Sequence, residues 1–87
     1  MLGPDNYITA HSFFMLAYIY IDQQKYEQAE PLYQRTLKIF ENTLPPDHLY
    51  IAGRLEDYAS LLRNMNRTTE AEPLEERARA IRANHST

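Results

Sequence analysis

The chain has 87 residues, enough for one domain but near the lower limit at which a single hydrophobic core is self-sufficient. Its net charge is −3, and nine Lys and Arg are outnumbered by twelve acidic residues, so we expect no nucleic acid partner. The sequence contains no cysteine, which excludes disulfides and thiolate chemistry and is consistent with the cytoplasmic location that we expect.

The first predicted helix runs from Tyr7 to about Asp22, after a turn at residues 3–5 whose aspartate suits a helix cap. One side has apolar residues at helical spacing: Phe13, Leu16, Ala17, Tyr20 and Ile21. The other side is apolar as well: Phe14, Met15, Tyr18 and Ile19. A helix that is hydrophobic nearly all round is normally buried on more than one side. Its apolar run is nine residues long, well short of the about 20 that span a bilayer, so we expect no membrane span.

The second predicted helix runs from about Tyr26 to Asn42, after a short polar connection at residues 23–25. Its apolar stripe consists of Ala29, Leu32, Tyr33, Thr36, Leu37 and Phe40. Pro31 lies within the first two turns, where a proline removes only the bond to the Glu27 carbonyl. Because the apolar period continues through Pro31, we predict one continuous helix.

The third predicted helix runs from about His48 to Asn64, after a turn at residues 44–47. Its apolar set is Ile51, Ala52, Leu55, Tyr58, Ala59, Leu61 and Leu62. The fourth runs from about Thr68 to Ala83, with Thr68 or Thr69 as its N-cap and residues 84–87 as a frayed end. Four helices joined by short loops alternate in direction and form two stacked hairpins.

The two halves of the chain repeat each other. When the sequence is compared with itself at an offset of 42 residues, 45 positions are paired and 12 of the pairs are identical. Four of the identical pairs are consecutive and form the run Ala-Glu-Pro-Leu at residues 29–32 and 71–74. Self-similarity with a period of about 20–50 residues is typical of solenoids. We therefore predict a single domain over residues 1–87, with repeat one at about 5–43 and repeat two at about 47–85.

Two segments resemble a tetratricopeptide repeat: Leu16-Ala17-x-x-Tyr20, and Lys25-Tyr26-Glu27-x-Ala29-Glu30-Pro31-Leu32-Tyr33. The spacing of 42 and the Leu-Gly-Pro-Asp linker resemble the kinesin light chain type of that repeat. The resemblance implies an all-α fold, an α-α superhelix (solenoid) of two helical hairpins with four antiparallel helices. It also implies that the first helix of each hairpin lines the concave face, and that the usual activity is binding proteins or peptides.

Small residues in this pattern are expected where helices cross. Ala17 should meet Ala29, and Ala59 should meet Ala71, because a larger side chain would push the helices apart. Tyr33 and Leu37 should face the next hairpin, near Leu55, Tyr58 and Leu62. Gln24 and Asn66 replace the usual glycine, and if that position needs a left-handed conformation, Asn adopts it at lower cost than Gln.

The two ends of the predicted solenoid differ. Tyr33, Leu37 and Phe40 become Glu75, Arg79 and Arg82 in the second copy, which is typical of a polar terminal repeat. Glu72 and Glu76 should repel each other, and Glu75 should attract Arg79. The first helix has more apolar surface than one partner helix covers. It should be completed either by further repeats of a longer protein or by another copy of the chain.

The candidate partner-binding surface is the concave face implied by the resemblance. Its residues are His11, Phe14, Tyr18, Ile21, Asp22, Gly53, Glu56, Ser60, Arg63 and Asn64. The competing interpretation is that Phe14 and Tyr18 are only packing residues. Repeats of this type commonly carry paired asparagines that reach a bound peptide's backbone, but these positions hold Phe14-Met15 and Glu56-Asp57 here. The basic and asparagine clamp that some relatives use for C-terminal carboxylates is absent too, so capture of a peptide carboxylate is not carried over.

No catalytic or metal chemistry is predicted. The three histidines, His11, His48 and His85, share no ligand spacing, and His48 is expected to be a surface loop residue. We expect no cofactor and no enzymatic activity. The leading hypothesis is an interaction module or scaffold fragment that binds a protein or peptide. The alternative is a self-assembling structural unit, a homo-oligomer formed through the apolar first helix.

Overall fold

The computed structural model describes residues 7–85, and of Tyr7 the backbone only. These residues form four helices: α1 (Tyr7–Asp22), α2 (Tyr26–Thr43), α3 (Leu49–Asn64) and α4 (Thr68–Asn84). The described part of the chain contains no strand, which confirms the all-α prediction. Helix α1 packs on α2 and α3 packs on α4, and the two hairpins meet where α2 contacts α3.

The helix ends follow local hydrogen bonding. His48 is not the first residue of α3 but its N-cap, because its side chain accepts a bond from the Tyr50 amide. The predicted N-cap at Thr68 or Thr69 is wrong: Thr68 is already helical, and the cap position is Arg67, which makes no side-chain cap bond. Helix α4 also continues through Asn84, beyond the predicted end. The predicted turn and cap at residues 3–5 lie outside the described residues.

Both hairpins turn in the same way. Gln24 and Asn66 each have a φ of 61°, so this position does need the left-handed conformation that the sequence analysis gave only as a condition. The next amide closes the turn, from Lys25 to the Tyr20 carbonyl at 2.7 Å and from Arg67 to the Leu62 carbonyl at 2.8 Å. These bonds satisfy carbonyls that the end of a helix would otherwise leave without partners.

Alanines mark the helix crossings, as predicted. Ala17 and Ala29 are fully buried in one cluster, and Ala59 and Ala71 are fully buried in another. Because alanine lets two backbones approach closely, each crossing has no room for a longer side chain.

The contact between the hairpins is an apolar ladder on α2. Leu37 and Phe40 pack with Leu55 and its neighbours, and Tyr33 packs with Leu61. Leu62 was predicted at this contact, but it lies with Ala59 and Ala71 inside the second hairpin. Consecutive helical residues point about 100° apart, so a shift of one position moves a side chain from one neighbouring helix to another.

Helix α1 exposes several apolar side chains. Ile8 is 62% exposed, Met15 47% and Ile19 49%. Leu16 was predicted to belong to the buried stripe, but it is 40% exposed. These four residues, Ile8, Met15, Leu16 and Ile19, are here called the outer strip. The prediction that one partner helix does not cover α1 is confirmed.

Candidate protein-binding surface

Six of the predicted surface positions lie on one side of the two first helices. We call them the inner face: His11, Tyr18 and Asp22 on α1, with Gly53, Ser60 and Asn64 at the matching positions of α3. All of them except Gly53 are exposed, and Tyr18 is 62% exposed. Packing within the described chain therefore does not account for Tyr18.

Phe14 and Ile21 are placed differently, because both are partly buried against the first hairpin's core. The ring of Phe14 lies 6.0 Å from that of Tyr33, and the guanidinium of Arg54 sits 4.0 Å above the Phe14 ring centroid. The same guanidinium pairs with Asp57 at 2.9 Å. Phe14 thus forms part of the contact between the hairpins, as the packing interpretation held.

Two further predicted residues make ion pairs with α4. Arg63 binds Glu75 through two bonds of 2.6 and 2.7 Å, and Glu56 accepts two bonds of 2.6 and 2.8 Å from Arg82. The bond from Arg82 lowers the pKa of the Glu56 carboxyl. The bond from Arg63 is the main cause that lowers the pKa of Glu75, and the predicted attraction of Arg79 adds to it. The hydrogen bonds themselves come from the adjacent helix, which offers a two-pronged partner. A bound segment would have to compete with these pairs.

The polar groups beneath the inner face are only partly shielded from water, because the Arg54 and Asp57 side chains are 26% and 36% exposed. Burial raises the pKa of Asp57, while the Arg54 guanidinium opposes that rise. Burial also raises the pKa of Tyr33 to about 12, and the nearby Asp57 charge adds to the effect. The Arg54–Asp57 pair therefore lies in a setting where a further charge interacts more strongly than it would in water.

A groove of about 620 Å³ begins at His11 and continues between the hairpins. Its other lining residues are Phe40, His48, Tyr50 and Arg54. The Nδ1 of His48 accepts the Tyr50 amide at 3.0 Å, so in the neutral ring the proton lies on Nε2. The lining thus combines two aromatic rings with donors from His48 and Arg54.

Sequence reasoning missed Tyr50 and Arg54 as surface residues and treated His48 as a plain loop residue. The offset of 42 contains no signal for Arg54, because the residue at the matching position is Ser12. The groove itself has no sequence signal, since its walls come from three separate helices and the loop between two of them.

Nothing in the described part of the chain requires a glycine at position 53. It lies inside α3, and a Cβ added to it would meet nothing within 4 Å. Its φ is not positive, so the backbone does not demand glycine. A glycine in a helix interior costs about 1 kcal/mol relative to alanine. The bare backbone at this position is an opening in the inner face.

The described chain thus folds as two antiparallel hairpins. Alanines lie at both helix crossings, and apolar side chains of α2 pack between the hairpins. A family model described as tetratricopeptide repeat matches residues 7–84. The chain belongs to the tetratricopeptide repeat family. No curated protein matches the chain. The tetratricopeptide fold is a non-enzymatic scaffold that generally binds proteins or peptides.

The described residues of this tetratricopeptide domain contain no group of three or more His, Asp or Glu placed to hold a metal ion. Within the same residues, none of the four helices combines the length and apolar character of a membrane span.

Proposed function

We propose that this domain is a protein interaction module that holds a segment of a partner protein along its inner face. The observation that carries the proposal is Gly53, a helix glycine that the fold does not need. Glycine is the residue that lets another backbone approach closely, and Gly53 lies on α3 at the position matching His11 of α1. A segment that crosses α3 at Gly53 would use the space that a longer side chain would fill.

The chemistry of the surface indicates what such a segment carries. Tyr18 is an exposed aromatic side chain, a type enriched among residues that dominate binding energy. The groove at His11 offers donors from His48 and Arg54 between two rings. We therefore propose a segment with an apolar residue against Tyr18 and an acidic residue in the groove.

The test is to select binding peptides from a random displayed library and to measure their affinity for designed variants. Gly53→Leu fills the opening without meeting any neighbour, so the domain should fold and the selected peptides should bind at least about tenfold more weakly. Tyr18→Ser should weaken binding in the same direction. The matched control is Ala80→Leu, which adds the same side chain at an exposed position of α4 and should leave the affinity unchanged.

The proposal fails if the selected peptides bind Gly53→Leu as tightly as the unchanged chain, with circular dichroism showing that both are folded. Light scattering distinguishes the alternative, self-assembly through α1. If two copies associate, the measured mass in the absence of peptide is twice that of one chain.

Finer assignments belong to the same proposal. The spacing of 42 and the linker Leu44-Pro45-Pro46-Asp47 support repeats of the kinesin light chain type. The net charge of −3 supports a protein partner rather than nucleic acid or an anionic membrane surface. The lack of cysteine is consistent with a cytoplasmic location. We propose no enzymatic activity and no cofactor for this chain.

A further inference from the structure

The groove at His11 is lined by hydrogen-bond donors, and none of the described residues that line it is acidic. Its volume of about 620 Å³ lies in the range of ligand sites in proteins. The other donors are the side chains of His48, Tyr50 and Arg54. In a chain where twelve acidic residues outnumber nine Lys and Arg, such a lining favours an anionic group as the ligand.

Arg54 is held in one orientation and keeps part of its hydrogen-bonding capacity. Its guanidinium lies 4.0 Å above the centroid of the Phe14 ring. Its Nε and one Nη contact a single oxygen of Asp57, Oδ2, at 3.0 and 2.9 Å. Because a guanidinium carries five N–H donors in one plane, Asp57 does not use all of them. This planar fork matches the oxygens of a phosphate group.

His48 adds a donor whose tautomer is fixed by the backbone. Its Nδ1 accepts the Tyr50 amide at 3.0 Å, so the neutral ring carries its proton on Nε2. His48 can therefore donate to an anion without taking up a proton. The Tyr50 ring lies 4.7 Å from the His48 ring, and Tyr50 is 57% exposed, so its hydroxyl is accessible to a ligand as well.

The number of donors distinguishes a phosphate from a carboxylate. A carboxylate has two oxygens and a single charge, whereas a phosphate monoester has three terminal oxygens and a charge of about −1.5 to −2. Arg54, His48 and Tyr50 can each bond a different oxygen, and His11 adds a further ring nitrogen from α1. The rings of Phe40 and Tyr50 lie 6.1 Å apart and contact each other, so a third ring does not fit between them. A short phosphorylated side chain fits better than phosphotyrosine.

We propose that the groove binds a phosphorylated serine or threonine of the partner segment. This inference rests on the proposed function and specifies the acidic residue in it. Arg54 directly follows Gly53 in α3, so a segment that crosses α3 at Gly53 passes the groove. Phosphorylation of the segment would then control its binding to this domain.

The test uses synthetic peptide libraries that are identical except at one fixed position. That position holds serine, phosphoserine or aspartate, and the flanking positions are randomised. Peptides recovered on the immobilised 87-residue chain are resynthesised in all three forms, and their Kd is measured by fluorescence anisotropy. We expect the phosphoserine form to bind at least about tenfold more tightly than the serine and aspartate forms.

Two variants connect this preference with the groove. His48→Ser keeps an oxygen that can cap α3 but removes the Nε2 donor. Arg54→Lys keeps the positive charge beside Asp57 but removes the planar fork. Each should reduce the preference for phosphoserine at least about fivefold. The matched control is Arg79→Lys on α4, which contributes no residue to the groove and should leave the preference unchanged. Circular dichroism checks that all three variants are folded.

Three results would overturn the proposal. Equal affinity for the phosphoserine and aspartate forms, or no enrichment of phosphorylated peptides, would mean that the groove does not recognise phosphate. A preference that persists in both groove variants would place the phosphate elsewhere. Inorganic phosphate that binds as tightly as the phosphopeptides would make the groove a site for a free anion. The proposed function fails separately, if Gly53→Leu leaves the affinity of the serine forms unchanged.

Discussion

Gln24 and Asn66 hold the same left-handed conformation, with a φ of 61° at both. A side chain other than glycine is strained there by roughly 1–2 kcal/mol, and asparagine less than most. Part of any gain from glycine is offset because glycine also gains freedom in the unfolded chain.

We predict that Gln24→Gly raises the free energy of unfolding by about 0.5–1 kcal/mol. The same change at Asn66 should raise it by only a few tenths of a kcal/mol, because Asn tolerates this conformation better. Urea denaturation of the two variants and the unchanged chain measures both effects. An equal gain at the two sites would contradict the argument, since the turns have the same hydrogen bonds and differ in the side chain.

At the scale of the helix, the crossing of α1 and α2 depends on the size of one side chain. Ala29 is fully buried in the same cluster as Ala17. Overfilling such a contact forces side chains out of their preferred rotamers or separates the helices.

We predict that Ala29→Leu lowers the free energy of unfolding by about 1–3 kcal/mol. Ala80→Leu, the same change on the exposed side of α4, should stay within about 0.5 kcal/mol of the unchanged chain. Thermal unfolding followed by circular dichroism compares them. A similar loss at both positions would show that leucine itself, and not the crossing, is responsible.

Helix α2 also shows what helical periodicity predicts. Pro31 is inside the helix, which continues to Thr43 as one element. The apolar period outweighs the proline because only one backbone bond is lost near the start of the helix.

The cap of α3 was not predicted, since whether a histidine side chain turns back to an amide depends on the local geometry of the loop.

At the scale of the whole molecule, a polar network supports the apolar contact between the hairpins. Glu30 of α2 accepts a bond from Arg67 at 2.7 Å and another from the Tyr58 hydroxyl at 2.7 Å. The bond from Arg67 is the main reason why the pKa of Glu30 lies below its usual value of 4.5. Burial opposes the shift and the Tyr58 bond adds to it.

A lowered carboxyl pKa contributes stability above the unfolded value of about 4.5, and this contribution is lost as the pH falls through the lower folded value. We predict that Glu30→Gln flattens the fall in unfolding free energy between pH 5 and pH 3. Urea denaturation across this range measures it, with Glu27→Gln, an exposed position of the same helix, as the control. If Glu30→Gln and the unchanged chain lose stability in parallel, the network does not link the hairpins.

The four helices, the doubling of the hairpin and the alanine crossings could all be predicted from the amino-acid sequence. Each of these depends on spacing along the chain: the apolar period within a helix, and the offset of 42 between the repeats. The left-handed conformation of Gln24 and Asn66 was only a condition at the sequence level, raised because both stand where the family has glycine.

The partner of each side chain could not be predicted, because it depends on how the four helices are placed in space. Glu75 bonds Arg63 of the adjacent helix and not Arg79 of its own, and Leu61 rather than Leu62 meets Tyr33. The groove likewise gathers side chains from three helices and a loop. The position of a residue along a helix predicts the direction of its side chain, which turns by about 100° from one residue to the next. The partner of that side chain depends on where the neighbouring helices lie, and packing between residues far apart in the sequence sets their positions.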